Sequence, residues 1–280
     1  MGRIARTIEL AKASWQVLRA DKELLLLPVI SFITTLIVAA SFVAPLILAG
    51  DAGSLEDPGP AGYVAVFVAY VVLAFITIFF NAALVHAANE RLSGGDPTVS
   101  SALRGALAHV HRILPWALVS ATVSIILRAI EERAGTLGRF AGAIAGIAWA
   151  LVTFLVLPIL VVEDIRVIDA IKRSGRLFKQ TWGENVAAQI GFGILGFFAV
   201  LPAVLLVVLG IAAGGIAAVA AIVVAVLWVL TVSVVLAALS AIFQTALYRY
   251  AAGLEIPQGA FGQSDLERAF APKTRRSFGF

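Results

Sequence analysis

The chain has no cysteine, one methionine and three histidines among 280 residues, and only 14% of its residues are charged. Without cysteine there are no disulfides, no thiolate metal site and no cysteine nucleophile. Charge is not only scarce but absent over long stretches: none occurs in 24–50, 58–89, 113–127, 140–162 or 185–248. Ionisable groups at depth mark proton relays, ion-coupled transport and intramembrane acid–base catalysis. Their absence from the apolar runs argues against those functions. The pI is basic, yet no arginine tract is interleaved with aromatics, so nucleic acid is not an expected partner.

What is present is apolar: 61% of residues are hydrophobic and the mean hydropathy is +0.99, far beyond the usual half-apolar soluble composition. Runs longer than about 18 apolar residues read as bilayer spans. The expected fold class is therefore all-α, a polytopic transmembrane bundle of six helices near 24–48, 63–86, 112–127, 140–162, 186–209 and 217–247. Residues 1–255 form a single membrane domain and 256–280 a basic tail. A continuous helix through the last two spans would run about 60 residues or 90 Å, so Gly210–Gly215 (GIAAGG) is expected to break it into a hairpin. The first run is too long for a signal-peptide core and reads as a retained helix.

Lys and Arg in short flanking loops set orientation. With the N-terminus inside, 18 of the 21 basic residues fall on the cytoplasmic side, and only Arg128, Arg133 and Arg139 stay outside. The expected location is the inner, cytoplasmic membrane, multi-pass, with both termini cytoplasmic. Before each odd-numbered span lies an amphipathic stretch: Ile4, Ile8, Ala11, Trp15 and Leu18; Val99, Leu103, Ala106 and Val110; Ile168, Ile171, Gly175, Phe178 and Trp182. The first and third align locally, Lys12 with Lys172, Ser14 with Ser174 and Val17 with Leu177. These predict three cytoplasmic interfacial helices, each leading into a membrane hairpin. The basic face of the first would meet anionic lipid headgroups.

Candidate functional residues gather in NAALVHAANER: Asn81, His86, Asn89, Glu90 and Arg91 form the polar cluster proposed for binding. Asn81 lies inside the membrane end, where lipid offers an amide no partner; an interhelical hydrogen bond is the structural alternative. His86 and Glu90 share a helical face, but the order is not HExxH and no second carboxylate is placed, so no metal and no cofactor is expected. Gly138, Gly142 and Gly146 recur every four residues, and Gly191 and Gly196 fall in the fifth span. Small residues let helices approach closely, so these five are expected to pack helices together or to support a homo- or hetero-oligomer. GFGILG at 191–196 formally matches a dinucleotide fingerprint, but it lacks the preceding strand and the following acid. Glu163 and Asp164 are expected to pair with Lys172, Arg173 or the N-terminal helix. Arg128, Glu131 and Glu132 suggest a surface ion cluster, and Ser120, Thr122, Ser124, Thr231, Ser233 and Gln244 polar contacts between helices.

The stretches NAALVHAANERLSGGDPTV (81–99) and LPILVVEDIRVIDAIKRSGRLFKQTWGE (157–184), together with ADKELLLLPVIS (20–31), resemble an uncharacterised family of prokaryotic polytopic membrane proteins, a domain of unknown function. More distantly, a basic amphipathic helix leading into a hairpin is similar to the membrane region of glycerophosphodiester phosphodiesterases, whose catalytic domain is absent. The resemblance implies membrane residence and topology, not chemistry. The expectation is a non-catalytic envelope scaffold or organiser of lipid and protein; the alternative is an uncoupled carrier or pore for a lipid or other neutral solute, and an enzyme is the least supported class.

Overall fold

The computed structural model describes residues 14–48, 59–133 and 135–254; the side chains of Trp182 and Gln189 lie outside the described set, as do residues 1–13 and the tail from 255. Every regular element described is helical. Residues 14–20 form α1, and a 3-10 turn (Lys22–Leu25) leads into α2 (Leu26–Leu48). Then follow α3 (Pro60–Leu92), α4 (Val99–Ala108), α5 (Val110–Arg133), α6 (Gly135–Thr153), α7 (Val156–Val162), α8 (Val167–Ala213) and α9 (Gly215–Ala251). Six segments are long and apolar enough to cross a membrane, and they correspond one to one with the expected spans.

Local chemistry explains the boundaries. At the end of α3 the Gly95 N–H bonds the Glu90 carbonyl at 2.9 Å and the Gly94 N–H that of Arg91 at 3.0 Å. With Gly94 at φ +86°, this is a Schellman stop, and it needs a residue tolerant of the left-handed region. The same closure ends α9, where the Leu254 N–H reaches the Arg249 carbonyl at 2.9 Å with Gly253 at φ +69°. The expected break near 210–215 falls at Gly214, φ +72°. A β-carbon on Gly210 would run into Ala221 across the hairpin, and Trp228 Nε1 donates to the Ala199 carbonyl at 2.7 Å, pinning α8 to α9.

Two expectations are corrected. The fourth span is not one helix: α6 and α7 are separated at Phe154 and Leu155. Pro158 lacks the N–H that would bond the Phe154 carbonyl. Buried Ser174 repairs the gap, donating to the Val152 carbonyl and accepting the Leu155 N–H. The third amphipathic stretch is likewise not a separate interfacial helix, because α8 runs unbroken for 47 residues, about 70 Å. No glycine or proline stop lies between Ile168 and the fifth span strong enough to end it. α4 is a separate helix, opened by a reciprocal capping box between Thr98 and Ser101.

The sides that α1 and α8 bury against the chain do not coincide with their apolar stripes. In α1 the buried side carries Ser14, Val17, Leu18 and Asp21, while Trp15 is exposed beneath the Arg19 guanidinium. In α8 it carries Ala170, Ser174 and Leu177, with Ile168 exposed. Ser14 and Ser174, aligned in sequence, are both buried, as are Val17 and Leu177.

The core is concentrated at one end of the bundle, in Ala82–Ala88 of α3, Leu155–Leu160 around α7 and Ala238–Tyr248 of α9. The other half exposes large apolar side chains, with Tyr63, Phe197 and Ile216 more than 60% accessible. A water-exposed surface of that kind would not be stable, whereas a bilayer would cover it.

Candidate functional site

The buried end of the bundle is also its charged end, and the residues of NAALVHAANER fan out from α3 rather than converge. Arg91 donates through both Nε and Nη2 to the Asp21 carboxylate, a two-pronged ion pair, and through Nη2 to Asp96 at 2.9 Å. Glu90 accepts from Ser101 Oγ at 2.9 Å, tying α4 to α3. Asn89 Oδ1 accepts from Arg249 Nη1 at 2.8 Å, and the same nitrogen reaches Ser93 Oγ at 2.7 Å. The His86 ring lies flat against Gly105 of α4, where a β-carbon would collide with it. Together the side chains fasten three elements: Arg91 holds the end of α1 through Asp21, Glu90 and His86 hold α4, and Asn89 holds the end of α9.

A second set of contacts closes the corner between α7 and α8. Glu163 accepts from Arg173 Nε and from the Tyr248 hydroxyl, each at 3.0 Å. Asp164 adopts φ +53°, a left-handed conformation that costs most non-glycine residues but that aspartate tolerates. Its carboxylate pairs with Arg112 Nε at 2.9 Å. Pairing of Glu163 with Arg173 follows the sequence expectation; the Asp164 to Arg112 bridge was not legible there.

Asn81 stands apart. Among the described residues nothing bonds its amide. It lines instead a cleft of about 530 Å³ between α2, α3 and α9, with Ser31, Thr35, Thr77 and Ser233 as further polar lining and Phe32, Phe80 and Leu230 among the apolar walls. The Thr77 and Ser233 hydroxyls donate to carbonyls of their own helices at 3.0 and 2.8 Å. Their lone pairs are left to accept, beside an amide with both donors and acceptor unspent.

Other expected contacts are redirected. Thr122, Ser124, Thr231 and Ser233 all bond carbonyls four residues back in their own helices, not neighbouring helices; within an apolar medium the nearest acceptor is the helix itself. Arg128, Glu131 and Glu132 form no ion pair among the described residues. Glu131 lies over Gly142, occupying the space a β-carbon would need. Gly138 is buried, Gly191 half-buried, and a β-carbon on Gly196 would come within 3.1 Å of Leu236 on α9. A β-carbon on Gly146 would meet nothing within 4 Å among the described residues. Among the described residues no group of three His, Asp or Glu side chains is placed to hold a metal ion.

Six helical segments long and apolar enough to cross a membrane, with a charged, closely packed end and an apolar, exposed end, are compatible with a helical bundle of the multi-pass membrane class. The chain belongs to the DUF6159 family, a family of unknown function, whose model matches residues 60–256, from the start of α3 to just beyond α9. The match leaves out α1, α2 and the ADKELLLLPVIS stretch, so the family is carried by the last five spans rather than by nearly the whole chain. No curated protein and no solved structure matches.

Proposed function

We propose that the chain is a non-catalytic lipid organiser of the cytoplasmic membrane, with its charged end and both termini on the cytoplasmic side, holding a neutral amphiphile between α2, α3 and α9. The observation that carries this reading is the cleft at Asn81, where an unspent amide and hydroxyl lone pairs face an otherwise apolar wall. Neutral donors and acceptors suit a lipid hydroxyl or ester; the charged groups of the same helix are committed to holding the bundle together. The orientation rests on the basic residues, 18 of 21 on one side. Single cysteines introduced into this Cys-free chain test it: a cysteine at Ser100 should be labelled only after the membrane is permeabilised, and labelling from outside would reverse the topology.

Lipid retention tests the function. Protein extracted in mild detergent should carry a neutral lipid enriched over the bulk membrane. Asn81→Leu should weaken its binding by about twofold to tenfold, the loss of a hydrogen bond of about 0.5–1.5 kcal/mol, with unchanged thermal stability. Finding no enriched lipid in either protein would refute it. The same cleft is where an uncoupled carrier would hold its cargo; vesicles containing the protein would then pass lipid between leaflets faster than empty ones, and an organiser would leave that rate unchanged. The likeness to the membrane region of glycerophosphodiester phosphodiesterases is compatible with lipid handling and contributes no active site.

A further inference from the structure

We infer that the cleft where α5 and α8 begin binds the phosphodiester headgroup of a glycerophospholipid through Arg112 and Arg166. The inference rests on the membrane placement proposed above and is independent of the Asn81 cleft. The cleft has a volume of about 570 Å³, with His111, Arg112, Arg166 and Asp169 on one side and Val119 and Ile168 among its apolar lining. Arg166 is exposed and, among the described residues, has no ion pair or hydrogen-bonded side-chain partner. Arg112 is fixed by Asp164 through Nε, while its Nη1 is buried without a hydrogen-bond partner among the described residues. One guanidinium is thus held in place and incompletely satisfied, and the other is unengaged.

The helix start adds to this. Arg166 precedes the first turn of α8 and makes no side-chain cap to it, and Val167, Ile168 and Asp169 of that turn line the same cleft as the two arginines. An inorganic anion would use the charges alone. Ile168, 65% accessible beside them, adds an apolar surface at the level where an acyl chain leaves its glycerol. Asp169 opposes a dianion and offers an acceptor, which suits a singly charged phosphodiester whose headgroup carries hydroxyl or ammonium donors. Asp164 faces the site from the α7–α8 corner, but its charge is spent on Arg112.

The purified full-length chain can be titrated with dioctanoyl-phosphatidylglycerol, dioctanoyl-phosphatidylcholine and inorganic phosphate, followed by native mass spectrometry and thermal unfolding. Phosphatidylglycerol should bind and stabilise, and phosphatidylcholine, lacking headgroup donors, should bind more weakly. Because each basic residue contributes about 1 kcal/mol toward an anionic lipid, Arg166→Glu should weaken phosphatidylglycerol binding about tenfold or more, with Arg166→Lys close to wild type. Since the Arg166 side chain has no partner among the described residues, lipid-free stability should not move. Equal binding of phosphatidylglycerol by wild type and Arg166→Glu overturns the site. Stabilisation by inorganic phosphate equal to that by the lipid, and lost in Arg166→Glu, overturns the lipid as its source. Neither result depends on Asn81, whose variant should bind phosphatidylglycerol normally.

Discussion

Arg91→Ala is expected to free α1 from the bundle. Asp21 is 6% accessible and faces Arg91, whose side chain is 25% accessible. Removing the guanidinium strands a buried carboxylate, and breaking a buried ion pair from one side costs about 3–5 kcal/mol. Water reaches Arg91 in part, so the low end of that range, about 3 kcal/mol, is the expected loss. The companion bridge is a built-in control: Asp96 is 90% accessible, and Asp96→Ala should change stability by about 0–1 kcal/mol. Asp21→Asn combined with Arg91→Gln leaves no charge unpaired and should be less damaging than the two single losses added together. Thermal unfolding in mild detergent reads the stability, and hydrogen exchange over residues 14–21 reads the detachment. Unchanged exchange there in Arg91→Ala would show that apolar contacts alone hold α1.

Gly105→Leu should be comparably severe for a steric reason. The His86 ring occupies the space above Gly105, between two helices whose neighbouring residues Ala87, Ala88, Ala102 and Ala106 are fully buried. The half-buried ring must shift to admit any side chain there, and overpacking costs about 1–3 kcal/mol, sometimes more. Even Gly105→Ala should destabilise. Truncating the ring should relieve it: His86→Ala with Gly105→Ala is expected to be more stable than Gly105→Ala alone. If the double variant were instead the worse of the two, the ring would not be the obstacle. Gly142 makes the instructive contrast, since its neighbour is the flexible Glu131 side chain, which can move away at small cost.

The polar cluster illustrates how far a linear reading reaches. The types of residue in NAALVHAANER mark α3 as special, because polar groups that close to an apolar run need partners. Ser101, Asp21 and Arg249 lie 11, 70 and 160 residues from the groups they bond, and nothing in the local spacing selects them. Asp21 did leave a trace: it falls at i+7 from Ser14 and i+4 from Val17, on the face that proves buried. An acid on that face requires a buried cation, and Arg91 supplies it.

Composition and pattern alone determined the class of this protein. Uncharged runs of bilayer length favour helices, which satisfy their own backbone hydrogen bonds in lipid, and glycines mark where α3, α8 and α9 end. Both signals are local, so they survive in one dimension. Helix phase was decided only in three dimensions: Trp15 and Ile168 are exposed while Ser14 and Ser174 on the same helices are buried, because the packing of a helix against its neighbours, not hydrophobicity alone, sets which side is in. The same dependence hid the break between α6 and α7, which Ser174 makes tolerable from nineteen residues beyond Leu155. It also hid the cleft at Asn81, whose walls come from three helices brought together by packing rather than by sequence proximity.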